Sequence, residues 1–347
     1  MKISPSSYFV QRGDKRLPVH PDRSSSARLM DSDGDGLVSV DEILARLGSS
    51  SLKHDKDLYL DFHADVLTKT PPPQATEYPD SRGLGTEMNK MAERYPDDVQ
   101  VITLGESREG RPIEALKIGH GLMGVGISSL VHGREWATAN ASMKLAHSLL
   151  NQRKDLLSEM TVWVLPNCNP DGYEKSLTDD PGHRGNAAGV DLNRNFPSNW
   201  RPDGDNPLYT FDDIGASDNP ESLNFRGTFP ASEPETQALV NFISEHSELK
   251  GWLDFHSAGD VVLLPRDADA KTRRIATEMS EVAGLGTMKL SDYGTVSGVF
   301  MDYVQPRGMT TLALEIGDGF QPGYEKAQEI GERGKNAGLT FLDGLLS

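Results

Sequence analysis

A short apolar run followed at once by a candidate metal pair constrains this chain more than any other feature. Val125–Val131 (VGISSLV) is apolar and β-branched, which predicts a buried strand. Ala137–Leu150 has the composition and apolar spacing of a helix. Between them stands His132-Gly133-Arg134-Glu135, an imidazole and a carboxylate placed where a strand ends and a helix begins. Sites in open α/β sheets form at that edge, and both side chains are types that bind Zn²⁺. Taken alone the pair is a common coincidence. A third candidate ligand, His256, ends a second short apolar run, Gly251–His256 (GWLDFH).

The 347 residues are enough for one large domain with an appendage. A formal charge of −17 argues against nucleic acid or an anionic membrane as partner, since both would repel the chain. No apolar run approaches the length of a membrane-spanning helix, and the first residues lack the apolar stretch of a secretory signal. Cys168 is the only cysteine, which rules out an intrachain disulfide.

Residues 1–24 are polar, with scattered Pro and Ser, and read as a loose tail. Asp31-Ser32-Asp33-Gly34-Asp35-Gly36-Leu37-Val38-Ser39-Val40-Asp41-Glu42 follows. Asp31, Asp33, Asp35, Ser39 and Glu42 put oxygens at loop positions 1, 3, 5, 9 and 12, and Leu37 would offer its carbonyl at position 7. Residues 25–50 thus resemble an EF-hand calcium segment, with flanking helices Ser25–Met30 and Val40–Leu47. The bland alternative is an acidic, Gly-rich surface loop. Being unpaired, the loop reads as a structural clamp for Ca²⁺ rather than a switch. Residues 51–76 form a linker ending in the stiff Pro71-Pro72-Pro73, and 77–347 a single further domain. His54 and His63 in the linker are given no role.

From about Thr76 helices and strands alternate as in an α/β domain. Helices are expected over Glu87–Tyr95, Ala270–Val282 and Tyr324–Leu346, and over Pro234–His246 opened by a capping box, Ser232-x-x-Glu235. Strands are expected at 99–105, 112–118, Thr161–Leu165, 252–256 and 310–316. The stretch 169–231, rich in Asn, Asp, Gly and Pro, reads as a long functional loop. It is preceded by Asn167-Cys168 and holds Asn169-Pro170-Asp171-Gly172-Tyr173, His183-Arg184 and Gly189-Val190-Asp191-Leu192-Asn193-Arg194-Asn195-Phe196.

With these motifs the chain resembles the zinc carboxypeptidases of the carboxypeptidase A type over about residues 78–347. The HxxE pair, NPDGY, GVDLNRNF, a distant strand-ending His-Ser and a late strand carrying Glu occur in the family's order. The resemblance implies a mixed, mostly eight-stranded twisted sheet flanked by helices, with His132, Glu135 and His256 holding one catalytic Zn²⁺. It maps Glu315, at the end of TTLALEI, onto the catalytic base; read from sequence alone, that carboxylate equally fits a structural residue with a buried cation partner. Arg184 maps onto the arginine that polarises the scissile carbonyl. Asn193 and Arg194 map onto the pair that grips a substrate's terminal carboxylate, Arg134 onto a subsite arginine, and Tyr293 onto the tyrosine that closes over substrate. Met301, in Ser297–Tyr303, stands where the family places an acid when it prefers basic C-terminal residues. An apolar Met predicts preference for apolar or aromatic ones, by about 1–3 kcal/mol over a charged residue.

The expected activity is therefore metallocarboxypeptidase hydrolysis of the C-terminal peptide bond of peptides bearing a free carboxylate, by a monomer. The GVDLNRNFP, Asn199-Trp200 and SEPETQ segments also resemble bacterial murein peptide amidases, which cleave γ-D-glutamyl–diaminopimelate bonds. A third reading, a calcium-binding interaction protein with a dead peptidase fold, is countered by the intact ligands, base and carboxylate grip. No large inhibitory pro-domain is expected within residues 1–77. The calcium loop and the resemblance favour an extracellular or periplasmic location, with a cytoplasmic one open.

Overall fold

The computed structural model describes residues 8–12, 14–45, 63–203 and 215–347. The ends of the expected calcium segment and linker (46–62, with His54) lie outside the described residues. In chain order the N-terminal part contains β1 (Phe9–Arg12), β2 (Lys15–Pro18), α1 (Ser24–Met30), β3 (Leu37–Val38), α2 (Val40–Ala45) and a helical turn over 63–68, α3. Strand β1 pairs antiparallel with β2 and parallel with β3; of the expected loose tail over 1–24, residues 1–7 lie outside the described residues and 9–18 hold the two paired strands instead. The reason lies in a few apolar residues dispersed among polar ones. Tyr8, Val10 and Val19 pack with Ala27, Met30, Val38, Ile43, Ala64 and Leu67 into a small separate core.

The rest is one large α/β body. It comprises α4 (Ser81–Arg94), β4 (Val99–Glu106), β5 (Pro112–Ile118), β6 (Met123–Ser128), α5 (Ala137–Asn151), β7 (Met160–Leu165) and α6 (Pro170–Thr178). These are followed by α7 (Pro234–Glu245), β8 (Leu249–His256), β9 (Val261–Leu264), α8 (Ala270–Ala283), β10 (Gly286–Lys289), α9 (Leu290–Tyr293), α10 (Phe300–Val304), β11 (Thr310–Glu315) and α11 (Tyr324–Leu346). The sheet is eight-stranded and mixed, in the order β10-β9-β11-β8-β6-β7-β5-β4. Its central strands β7, β6, β8 and β11 run parallel and are almost wholly buried, because helices cover both faces. One layer of core joins the sheet to α4, α5, α8 and α11. The other packs Trp163, Trp252, Phe242, Phe300 and Phe196 between the sheet, α7 and α10. Gly126 is required here, since a Cβ would lie 2.2 Å from the Trp252 ring.

The chain leaves β6 through α5 to β7 on one side and later returns to β8 on the other. The C-terminal ends of β6 and β8 therefore form a topological switch point, where an open sheet leaves a crevice. Among the described residues no helix is long and apolar enough to cross a membrane.

Several local expectations are corrected. Helix α4 starts at Ser81, not Glu87, capped by Asp80 accepting from the Gly83 N–H; Gly83 and Gly85 in its first turns hide the helical signal. Helix α6 rises inside the stretch read as loop. Pro170 sits in its first turn and the Asn169 side chain accepts from the Gly172 N–H at 3.0 Å. The capping box at Ser232 does not form: Glu233 is the N-cap, and the Glu235 carboxylate accepts from the Arg108 N–H and the Asn186 amide instead.

Candidate metal centre and active site

His132 and Glu135 lie on the tight loop between β6 and α5, and His256 is the last residue of β8. Gly133 lets that loop press against α6, for a Cβ there would fall 2.3 Å from the Gly172 backbone. All three candidate ligands are buried, and their donor atoms lie within 4.8 Å of one another. His132 Nδ1 is 2.6 Å from Glu135 Oε1, and His256 Nδ1 is 3.1 Å from Glu135 Oε2. The Ser257 N–H also donates to Oε2, at 3.3 Å.

Each imidazole is held from behind by a carboxylate. His132 Nε2 faces Asp191 Oδ1 at 3.1 Å, and His256 Nε2 faces Asp254 Oδ2 at 2.8 Å. Asp254 in turn accepts from Ser128 Oγ at 2.6 Å, which accepts from Trp252 Nε1 at 2.8 Å. Such backing orients a ring and makes its inner nitrogen a better ligand. The charges agree. Burial would raise the Glu135 carboxyl, but His132 and His256 hold it well below the usual carboxylate range. Burial would likewise lower His256, yet Asp254 and Glu135 hold it well above its ordinary value. Two Nδ1 atoms and one carboxylate converging on a point form a donor set suited to Zn²⁺, in the number that catalytic zinc sites use.

Glu315 ends β11 in register with His256 on the neighbouring β8. Burial pushes its carboxyl up to about 7, with Glu135 and Asp254 adding and His256 and Arg184 opposing. Asp191 gathers the remaining charges. It accepts from Arg184 Nε at 2.8 Å and from the Asn193 N–H at 2.9 Å, and lies 4.0 Å from Arg194 Nη1. Burial opposes its ionisation, but Arg184, Arg194 and His132 hold it well below the ordinary carboxylate value. Arg184 Nη1 is 3.8 Å from Glu135, which sets this guanidinium beside the candidate ligands. Arg194 Nη1 donates to the Asn193 carbonyl at 2.7 Å, while Asn193 Oδ1 accepts from the Phe300 N–H at 2.8 Å. That last bond ties the Asn193 side chain to the start of α10, next to Met301. Met301 is buried with Val261, Leu263, Leu290, Val296, Val299 and Ala313. Arg134 is buried, with its guanidinium stacked 4.2 Å from the Phe320 ring. Tyr293 ends α9; its side chain lies outside the described residues.

In the N-terminal loop Asp31, Asp33 and Asp35 bring carboxylate oxygens within 4.8 Å of one another. Asp31 accepts from the Gly34, Asp35 and Gly36 N–H groups. Leu37 lies in β3, and Glu42, outside that group of three, accepts from Ser39 and Ser32. These bonds outweigh burial and lower its carboxyl to about 2.

Asp191 and Asp254, the carboxylates behind the two imidazoles, are not among the residues that the sequence singles out. Asp254 had a usable signal, because a residue two before His256 on a strand points to the same face. Asp191 sat inside a recognised motif, but only folding reveals that it faces His132.

Comparison with known proteins agrees with this geometry. The zinc carboxypeptidase family model matches residues 85–324. Human mast cell carboxypeptidase A is 30% identical over 262 residues, covering 66% of this chain and 60% of the relative. The chain spans about half to two thirds of the length of the curated relatives it matches. Among solved structures, bovine thrombin-activatable fibrinolysis inhibitor, in complex with tick carboxypeptidase inhibitor, superposes with a TM-score of 0.69 at 23% identity. That likeness covers 78% of this chain and 98% of the bovine one. Carboxypeptidase A from Helicoverpa armigera gives 0.69 at 21% identity, over 95% of this chain and 83% of that one. These two likenesses are ones of fold. On the extent of the family match, and with the donor set in place, the chain belongs to the zinc carboxypeptidase family.

Proposed function

We propose that this chain is a zinc-dependent metallocarboxypeptidase that removes the C-terminal residue of peptides, favouring apolar or aromatic ones. The observation that carries the reading is the convergence of His132, Glu135 and His256 beside Glu315 and Arg184. Zinc bound there would bring a water's pKa toward neutrality and polarise the substrate carbonyl. We read Glu315, whose carboxyl burial raises to about 7, as the base that would take the proton of the attacking water and pass it to the departing amine. Arg184, aimed by Asp191, donates to the carbonyl oxygen as negative charge builds on it. Arg194, whose Nη1 donates to the Asn193 carbonyl, is assigned to the terminal carboxylate, with Asn193 beside it. Arg134 serves an upstream subsite and Tyr293 closes over the substrate. The apolar surroundings of Met301 support an apolar specificity pocket.

The Asp31–Glu42 loop is proposed to hold one structural Ca²⁺, using Asp31, Asp33, Asp35, the Leu37 carbonyl, Ser39 and Glu42; the clustering of the three aspartates supports this. For an unpaired loop we expect affinity of about 10⁻⁵–10⁻³ M, which suits an extracellular or periplasmic setting. The test of function is turnover of blocked dipeptides against that of purified cell-wall tripeptides, each with and without a chelator. Chelator-sensitive cleavage of the dipeptides supports the proposal, and cleavage of the cell-wall substrate alone replaces it with the amidase reading.

A further inference from the structure

We propose that the N-terminal segment is a working part of the active site, with Arg23 as a positioning residue for Arg184. The inference rests on the reading of Arg184 as the group that meets the developing oxyanion. Arg23 closes the 3₁₀ turn Pro21–Arg23 and leads into α1. Its guanidinium is buried and pairs with Asp180 of the large domain, whose carboxylate is buried too. Asp180 begins the turn that delivers the chain to Arg184. Its N–H donates to the Lys175 carbonyl at 2.9 Å, and its own carbonyl accepts from the His183 N–H at 2.8 Å.

The turn has other supports as well: Arg184 Nε donates to Asp191 at 2.8 Å and Asn169 Nδ2 to the Gly185 carbonyl at 3.0 Å. The Gly133 N–H, inside the metal motif, donates to the Arg184 carbonyl at 3.0 Å. Gln321, on the loop after β11, donates its side-chain amide to the Pro181 carbonyl, and its own carbonyl accepts from Gln74 Nε2 at 2.9 Å. On the remaining side the turn faces a polar cavity of about 340 Å³. Asp22, Arg23 and Lys69 line it from the N-terminal segment, and Lys175, His183 and Arg184 from the large domain. Pro220, Ser222 and Leu223 also line it, and the buried Arg23–Asp180 pair joins the N-terminal wall of the cavity to the turn. Removing one member of a buried pair leaves the other without its counter-charge, and the turn would shift to rehydrate it.

Arg184 acts on charge that exists only in the transition state, so an error in its placement should lower kcat and kcat/KM together. A displacement of about 1 Å can cost up to about 100-fold. The test uses the full chain loaded with zinc, rates normalised to bound metal, and a blocked dipeptide as substrate. Arg23→Ala should lose roughly 10- to 100-fold in kcat while KM moves less than about threefold. Arg23→Lys should recover part of the loss, because an ammonium still meets Asp180 as a point charge. On an Arg184→Ala background, Arg23→Ala should cost less than about twofold more, since the group it positions is gone. Should Arg23→Ala fail to fold, Asp180→Asn read through the same cycle takes its place. A normal kcat per bound zinc, or equal fold-losses on both backgrounds, overturns the proposal. Full activity of Arg184→Ala by itself overturns the reading of Arg184 and the proposal with it.

Discussion

Replacing Asp191 with Asn changes one charge at the point where the site's supports meet. The side chain keeps its shape, but the amide cannot accept from His132 Nε2, Arg184 Nε and the Asn193 N–H at once as the carboxylate does. If its oxygen stays with His132, its NH₂ meets the Arg184 donor, and two donors repel. Arg184 and Arg194 side chains are only 13% and 4% exposed, so neither is readily neutralised by water. Breaking a buried ion pair by removing one partner costs about 3–5 kcal/mol, and the retained hydrogen bonds place this variant toward the lower end. Loss of the carboxylate behind a histidine ligand weakens metal binding by about 10- to 100-fold. The variant should therefore show an earlier urea midpoint at unchanged m-value, and a zinc Kd raised by that factor in chelator competition. It should also have reduced kcat even when saturated with zinc, because Arg184 has lost its anchor. Wild-type zinc affinity together with wild-type kcat at saturating metal would refute the reasoning.

Glu315→Gln should keep zinc but lose about 10²–10⁴-fold in kcat, read by steady-state kinetics with metal content measured in parallel. The Glu315 carboxyl is raised from 4.5 to about 7, so its stabilising effect is complete below about 4.5 and lost as pH rises through 7; in metal-free protein Glu315→Gln should flatten that fall in melting temperature. Met301→Asp should shift the preferred C-terminal residue from Phe or Leu toward Lys or Arg by about 1–3 kcal/mol in relative kcat/KM, measured on peptides differing only at that residue. Millimolar Ca²⁺ should raise the melting temperature, and Glu42→Ala should abolish the gain; calorimetry detecting no binding at that concentration would leave only an acidic turn.

Strong local periodicity made much of the fold legible. The β6–HxxE–α5 unit, β8, β11, α8 and α11 all carry long apolar runs or regular helical spacing, and each was expected within a few residues of its place. What stayed hidden lacked that signal. Strands β9 and β10 have four residues each, too few for a period to show. Helix α6 opens with Pro170 and Gly172, which read as a turn until Asn169 is seen capping them. The N-terminal hairpin buries single apolar residues against other segments, a pattern composition cannot reveal. At the site, residue types and order exposed the candidate ligands and Glu315. Partnerships across the chain, such as His132 with Asp191 or Arg23 with Asp180, needed the folded structure.

The most direct test of the central claim is mass spectrometry of one peptide ending in Phe, supplied as the free acid and as the C-terminal amide. The account predicts loss of the single terminal Phe from the acid, suppressed by a zinc chelator and restored by added Zn²⁺. The amide should be spared, because Arg194 and Asn193 would face an uncharged end and several kcal/mol of charge-assisted hydrogen bonding would be lost. Equal cleavage of the two peptides, or cleavage indifferent to metal, would contradict it.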